Sequence, residues 1–449
     1  MARADNLFRG LARPDEAHEI VQAMERTLDD PVLRDGLVAL RATFFLFEGR
    51  LTDAIELVEP LLDEDDDVSY AQGALAAAVA FALGGRPTDA VRVADRGERA
   101  RIALGEQVHL AAPGIYLVAR AQALLEAGQM REAAELAQLG YDGAVQIGAP
   151  HGQAWFASIL GRIDLHRGRA ASAARWSREG GVVWRELRHP AARWGFGALA
   201  SARALTGDLV GAEAAYTELD AEPPTPVRVF DPEIDRGRAS IAAQRGERTR
   251  ACDILLDAAD RAEAGGAYSF AAGALHDLAR LGEVRLAVAR LDAIAPHVEG
   301  DYMAARFDHA HALLDDDGDR LDACSAAFEQ IGALLLASEA ASSAAAVHRH
   351  AAMRRKATAS AQRAAALLAE CEGARPFGVE PEVPGVSLTR REREVAELAA
   401  RNLTSREIAD KLFVSPRTVE NHLQRAYEKL GVRGRRELRE ALGHTKDRT

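Results

Sequence analysis

With 449 residues, 48% of them hydrophobic and 28% charged, the chain reads as a folded, soluble protein with material for two or more domains. Its net charge of −12 excludes general adhesion to phosphate by the chain as a whole. Three cysteines, Cys252, Cys324 and Cys371, are too few and too scattered for a disulfide framework or a CxxC metal site, so a reducing compartment, the cytoplasm, is expected.

The N-terminal stretch MARADNLFRGLARPDEA lacks the apolar core of a signal peptide, and the most apolar run, 74–83, is about half a membrane span. No membrane insertion is expected. The 52 arginines against 4 lysines read as the coding bias of a GC-rich genome. Charge is split unevenly along the chain. Residues 388–449 hold 15 Arg+Lys and 10 Asp+Glu, net +5, and residues 1–387 hold 41 and 58, net −17. A small basic terminal unit suits phosphate binding, and the acidic remainder is repelled by DNA.

From residue 49 onward a glycine followed five residues later by alanine recurs, at Gly49/Ala54, Gly85/Ala90, Gly128/Ala133, Gly168/Ala173, Gly207/Ala212, Gly246/Ala251, Gly282/Ala287 and Gly318/Ala323. The glycines are 36, 43, 40, 39, 39, 36 and 36 residues apart. Before each lies a run with apolar residues at helical spacing, such as GALAAAVAFALGG, and after it a second amphipathic helix, such as LTDAIELVEPLL. Glycine ends the first helix in a left-handed conformation, and alanine lets the paired helices approach closely. ARPDEA at 12–17 reads as a partial first copy, and 325–372, dense in Ala and Arg but without the glycine, as a capping pair. The pattern resembles the tetratricopeptide repeat, at a longer period than its usual ~34 residues. An all-α solenoid over 1–371 follows, with a concave surface for a peptide, protein or small effector.

All four tryptophans, Trp155, Trp176, Trp184 and Trp194, fall within one 40-residue stretch. They mark either an effector or partner surface or ordinary packing between helices, and packing is the preferred reading.

No Gly-Lys pair occurs, which excludes a phosphate-binding loop of the GxxxxGK[ST] form and leaves ELVEPLLDEDDD at 56–67 as a repeat helix running into a loop. DDDGD at 315–319 lacks calcium-loop spacing and reads as a solvated turn. His309 with His311, and His348 with His350, stand two apart. On a helix each pair diverges by about 200°, so surface histidines are expected rather than metal ligands. No catalytic set emerges, and neither a cofactor nor an enzymatic activity is expected.

EGARPFGVEPEVPGVS at 372–387 is proline- and glycine-rich and reads as a linker. Beyond it, Thr389 and Glu392 have capping-box spacing, and Val395, Leu398 and Ala399 share one helical face. Asn402 breaks that helix; Thr404 and Glu407 form a second capping box ahead of Ile408, Ala409 and Leu412. Phe413 and Val414 make a tight turn, Ser415 caps a third helix with Pro416 at its first position, and Gly431 stops it. RRELREAL reads as a fourth helix. On the third, Val419, Leu423, Ala426 and Leu430 line the core, while Arg417, Glu420, Asn421 and Gln424 form a stripe on the far side. A short helix, a tight turn and a longer capped helix have the proportions of a DNA-binding helix-turn-helix, here spanning 388–449.

LTRREREVAELAARNLTSREIADKLFVSPRTVENHLQRAYEKLGVRGRREL resembles the LuxR-type (GerE-like) DNA-binding domain, with its LTxREREV, SxxEIAxxL and SxxTVxxHLxxxxxKLGV segments. Asn402 replaces the family's usual glycine, and asparagine adopts the same backbone geometry. The layout also resembles the C-terminal part of the large ATP-binding LuxR-family regulators, without their ATPase. The resemblance implies a bacterial transcription regulator on promoter DNA, an activator and a homodimer on its site. Glu420, Asn421 and Gln424 would face bases; Thr404, Ser405, Arg406, Arg417, Thr418, Arg425 and Lys429 would lie near phosphates. For Arg425 and Lys429 a solvated helix face is the rival reading. The rival to regulation is a protein-binding repeat scaffold whose DNA domain is masked or vestigial.

Overall fold

The computed structural model describes residues 1–62, 66–105, 114–376, 390–400, 403–412 and 414–430, together with Val432, Gly434 and Leu438. The chain divides into two units, Met1–Val379 and Glu380–Thr449. Among the described residues there is no strand, and no helix is long and apolar enough to cross a membrane.

Gly49, Gly85, Gly128, Gly168, Gly207, Gly246 and Gly282 take φ between +79° and +94°, the region where a side chain is strained. Each ends a helix, and the alanine five residues on, from Ala54 to Ala287, is 0% exposed against the partner helix. The result is an antiparallel stack. A short helix α1 (Ala2–Asp5) and a π-turn lead into α2 (Pro14–Thr27). The pairs follow: α3 (Pro31–Glu48) with α4 (Leu51–Leu62), α5 (Asp67–Leu83) with α6 (Pro87–Leu104), and α7 (Ile115–Ala127) with α8 (Met130–Gln146). Next come α9 (Pro150–Arg167) with α10 (Ala170–Glu186), α11 (Ala192–Thr206) with α12 (Leu209–Asp220), and α13 (Asp231–Gln244) with α14 (Arg248–Ala264). The stack closes with α15 (Tyr268–Arg280) and α16 (Val284–Ile294), α17 (Asp301–Leu314) and α18 (Gly318–Ile331), and α19 (Leu334–His350) and α20 (Arg354–Ala369). The repeat unit is thus a helical solenoid, as the spacing predicts.

Two details differ. Gly318 does not occupy the left-handed position; Asp316 does, at φ +53°, and Asp317 caps α18 by accepting from the Asp319 and Arg320 amides. The buried partner is consequently Leu321, and Ala323 is exposed, so the eighth Gly/Ala match is two residues out of register. Conversely, Ala12 and Ala352 take the left-handed turn at φ +51° and +58°, and Ala17 and Ala357 are buried five residues later. Aspartate and alanine can be held in this conformation at modest strain, so the turn survives where the glycine signature is missing. Phe8 stacks on Phe44 at 4.3 Å and covers the first pair.

The glycines serve a second purpose. Helix α15 packs against α5, α17 against α7 and α19 against α9, so the stack winds back onto itself. Its turns meet there: the Glu299 amide donates to the Gly85 carbonyl at 2.9 Å, Leu51 to Gly265 at 2.7 Å and Arg375 to Leu205 at 2.6 Å. A Cβ on Gly85 would overlap the His297 carbonyl oxygen and come within 2.7 Å of Val298, whereas one on Gly246 meets nothing within 4 Å. Gly85→Ala is therefore expected to destabilise the solenoid by about 2–4 kcal/mol, from left-handed strain plus overpacking. Gly246→Ala should cost only the strain, about 1–2 kcal/mol. Urea unfolding followed by tryptophan fluorescence compares them, and equal losses would argue against the inter-turn contact.

The second unit contains α21 (Arg390–Ala400), α22 (Ser405–Leu412) and α23 (Pro416–Leu430). Val395, Ala399, Ile408, Ala409, Val419, Leu423 and Ala426 form its core, and Leu438 from the expected fourth helix is buried with them. The rest of that helix, Asn402, Phe413, Gly431 and the Thr389 cap lie outside the described residues.

Candidate nucleic-acid interface and the repeat interior

The turn between α22 and α23 is fixed by side chains the sequence singles out. The Thr404 amide and hydroxyl both donate to Glu407 Oε2, at 2.7 and 2.8 Å, while the Glu407 amide donates back to Thr404 Oγ1 at 3.3 Å. Hydrogen bonds from Thr404 hold the Glu407 carboxyl below its ordinary pKa. Ser415 Oγ accepts from the Thr418 amide at 3.1 Å and lies 2.8 Å from the Thr418 hydroxyl. The Val414 amide donates to the Ala409 carbonyl at 3.0 Å, and Arg391 Nη2 donates to the Leu412 carbonyl at 2.6 Å, tying α22 to α21. With both helix starts capped and three apolar faces buried together, the angle between α22 and α23 is set by packing.

On α23, Arg417, Glu420, Asn421, Gln424 and Arg425 are exposed, opposite the buried Val419, Leu423 and Ala426. Thr404 and Arg406 are exposed, Ser405 and Thr418 partly so. The Lys429 side chain lies outside the described residues. Arg391 pairs with Glu394 at 2.8 Å, whereas Arg406, Arg417 and Arg425 have no carboxylate partner among the described residues. The face therefore offers uncompensated cations beside the donors and acceptors of Asn421 and Gln424 and the acceptor of Glu420. The sequence reading gave His422 no part, yet its Nδ1 is buried without a hydrogen-bond partner.

The family of bacterial regulatory proteins named luxR, or GerE, matches over residues 386–441. Residues 386–441 are a LuxR-family domain. Spore germination protein GerE of Bacillus subtilis (strain 168) is 56% identical over 48 residues, which are 11% of this chain and 65% of that one. The DNA-binding transcriptional activator DevR/DosR of Mycobacterium tuberculosis (strain ATCC 25618 / H37Rv) is 39% identical over 72 residues, 16% of this chain and 31% of that one. The matches thus span less than two thirds of either relative. A Rap protein complexed with competence and sporulation factor superposes with a TM-score of 0.55 at 12% identity, covering 77% of this chain and all of that one, which shows a shared helical-repeat fold. The LuxR-family domain thus follows a solenoid of that kind.

Within the solenoid two of the four tryptophans are buried. Trp184 is 0% and Trp194 4% exposed. Trp184 donates to Ser158 Oγ at 3.1 Å and meets Trp155 edge-on at 5.0 Å, while Trp194 stacks on Phe230 at 4.0 Å. Trp176, half-buried, sits edge-on against Tyr141 at 4.9 Å, and Trp155 lines an apolar cavity of about 90 Å³. The histidine expectation fails for one member of each pair: His309 is 1% and His348 3% exposed. Residues two apart diverge by about 200°, so when His311 and His350 face outward their neighbours face the core. His348 lies 3.0 Å from Asp322, and with Asp319 the three could ligate a metal. Lys356 already donates to Asp319 at 2.6 Å and Ser360 to Asp322 at 2.7 Å, so these carboxylates are engaged.

The larger surprise is a buried ionic network on the inner helices. Arg162, 2% exposed, lies 2.8 Å from both Glu126 and Glu233. Arg236 contacts Asp277 at 2.7 Å, and Arg280 contacts Asp277 at 2.5 Å and Glu339 at 2.6 Å. Burial opposes the ionisation of Glu233 and Asp277, but their arginines prevail: Glu233 is held far below the carboxylate range, and Asp277 at about 2. His166 Nε2 lies 3.2 Å from Glu233 and its Nδ1 3.0 Å from the Tyr302 hydroxyl, and burial lowers its pKa to about 3. His276 Nε2 and His309 Nδ1 are 2.9 Å apart, and burial pushes both well below the ordinary value. All three imidazoles are therefore neutral.

Proposed function

We propose that this protein is a cytoplasmic transcription regulator acting by binding rather than catalysis. The LuxR-family domain binds promoter DNA as a homodimer on a two-fold site, and the solenoid takes up an effector or protein partner that controls it. The observation that carries this reading is the exposed row Arg417, Glu420, Asn421, Gln424 and Arg425 on a capped helix, with its arginines uncompensated among the described residues. Glu420 accepts from a cytosine amino group and Asn421 or Gln424 pairs with adenine, while Thr404, Ser405, Arg406, Arg417, Thr418, Arg425 and Lys429 hold phosphates. Activation, rather than repression, is supported by the similarity to DevR/DosR, named a transcriptional activator.

Selection from random duplexes with the full-length protein should enrich a two-fold motif, and enrichment of none would refute the reading. Glu420→Ala should lose about 1–3 kcal/mol of discrimination at one base pair without weakening nonspecific binding. Arg417→Ala should instead weaken all duplexes alike and reduce the salt slope by about one.

A further inference from the structure

The geometry points to a site for a small monocarboxylate inside the solenoid, with Arg306 as its anchor. This rests on the reading that the solenoid takes up an effector, and names the effector's class. Arg306 on α17 is 2% exposed and lines a cavity of about 120 Å³ between α9, α11 and α13 on one side and α15, α17 and α19 on the other. A buried water needs only ~10–15 Å³ of such space, so the cavity has room for a small organic molecule.

Each of the other inner arginines, Arg162, Arg236 and Arg280, has a carboxylate within 2.8 Å. Arg306 has none among the described residues. Its Nε lacks any hydrogen-bond partner, its Nη1 reaches only Met303 Sδ at 3.7 Å, and its Nη2 only His166 Nδ1 at 3.5 Å. The guanidinium lies over the Tyr302 ring at 3.9 Å, which orients it without neutralising it. A buried guanidinium left so is costly unless an anion completes it. A carboxylate matches the fork in charge and plane, whereas a phosphate would bring a second negative charge among Glu233 and Asp277. Leu165, Leu205 and Leu336 supply an apolar wall for a short hydrocarbon body, and the Ser240 hydroxyl lines the same space.

The position also suggests how occupancy is felt. The walls come from helix pairs brought together where α17 meets α7 and α19 meets α9, so a bound acid ties these parts of the stack to one another.

The test is calorimetry and thermal unfolding of the full-length protein with propionate, isovalerate and benzoate, their neutral amides, and inorganic phosphate. At least one acid should bind and its amide should not; at a hundred times Kd it favours the folded state about 100-fold. Arg306→Gln should weaken that acid about 10- to 100-fold, and Arg306→Lys, which keeps the charge but not the fork, less. Circular dichroism confirms folding of each variant. Binding by no acid, equal binding of amide and acid, preference for phosphate, or undiminished affinity in folded Arg306→Gln or Arg306→Lys would each overturn the site. DNA affinity separates the two readings. An acid that binds through Arg306 without changing it upholds the site and removes its regulatory role; DNA binding that responds to another agent while no acid binds does the reverse.

Discussion

Arg162→Met is expected to destabilise the solenoid by about 3–5 kcal/mol, because it strands two carboxylates in the interior. Glu126 is 3% exposed and Glu233 is held from α13, while Arg162 stands on α9, so one guanidinium joins three helices that are far apart in sequence. Removing it leaves Glu233 with His166 alone, and a neutral imidazole replaces little of the lost attraction. Adding Glu126→Gln and Glu233→Gln to the methionine variant removes the stranded charges and should recover part of the loss, since the cost of breaking a buried pair comes largely from the uncompensated charge left behind. All four tryptophans lie between residues 155 and 194, so urea unfolding followed by their fluorescence reports on the solenoid alone. A loss below about 1 kcal/mol for the single variant, or no recovery in the triple, would mean that Arg162 is solvated.

What could be read from the chain beforehand divides along physical lines. The Gly-x4-Ala turns were legible because a left-handed residue and a close helix contact are local demands repeated at a near-constant period. The same logic failed at Asp316 and Ala352, where the turn is kept but its residue is not glycine. In the LuxR-family domain, Thr404 with Glu407 and Ser415 with Thr418 were legible for the same reason, since each cap is made within four residues. The inner network was invisible: Arg162 and Glu233 stand 71 residues apart, and Arg280 and Glu339 59. Nothing in a helix-period reading distinguishes an arginine that will be buried from one left in water. The return of the stack onto itself was hidden too, because it depends on a small rotation accumulated over successive pairs. His309 and His348 were half legible; their divergence from His311 and His350 was read, but not that divergence places one of each pair in the core.

These buried imidazoles set an acid limit on the fold. His166, His189, His276 and His309 have folded pKa values pushed far below the ordinary value near 6.5, primarily by burial. Arg280, Arg306 and Arg236 beside His276 add positive charge that reinforces the shift, and Arg280 does the same for His309. Around His166, Glu233 favours protonation while Arg162 and Arg306 oppose it, and burial decides. Below the unfolded value the unfolded chain takes up protons that the folded one refuses. Stability is therefore present above about pH 6.5 and is lost as pH falls from there toward the folded values. Between pH 7.5 and 5.5 each imidazole should remove about 1.4 kcal/mol, roughly 5–6 kcal/mol for the four. Asp164 and Glu25 work in the opposite sense, since burial raises the pKa of each carboxyl. Urea midpoints by tryptophan fluorescence across the range measure the slope, which should approach four protons per molecule at its acid end. His309→Gln should lower it by about one. A flat profile would mean that the four imidazoles protonate in place, and that the solenoid interior is open to water.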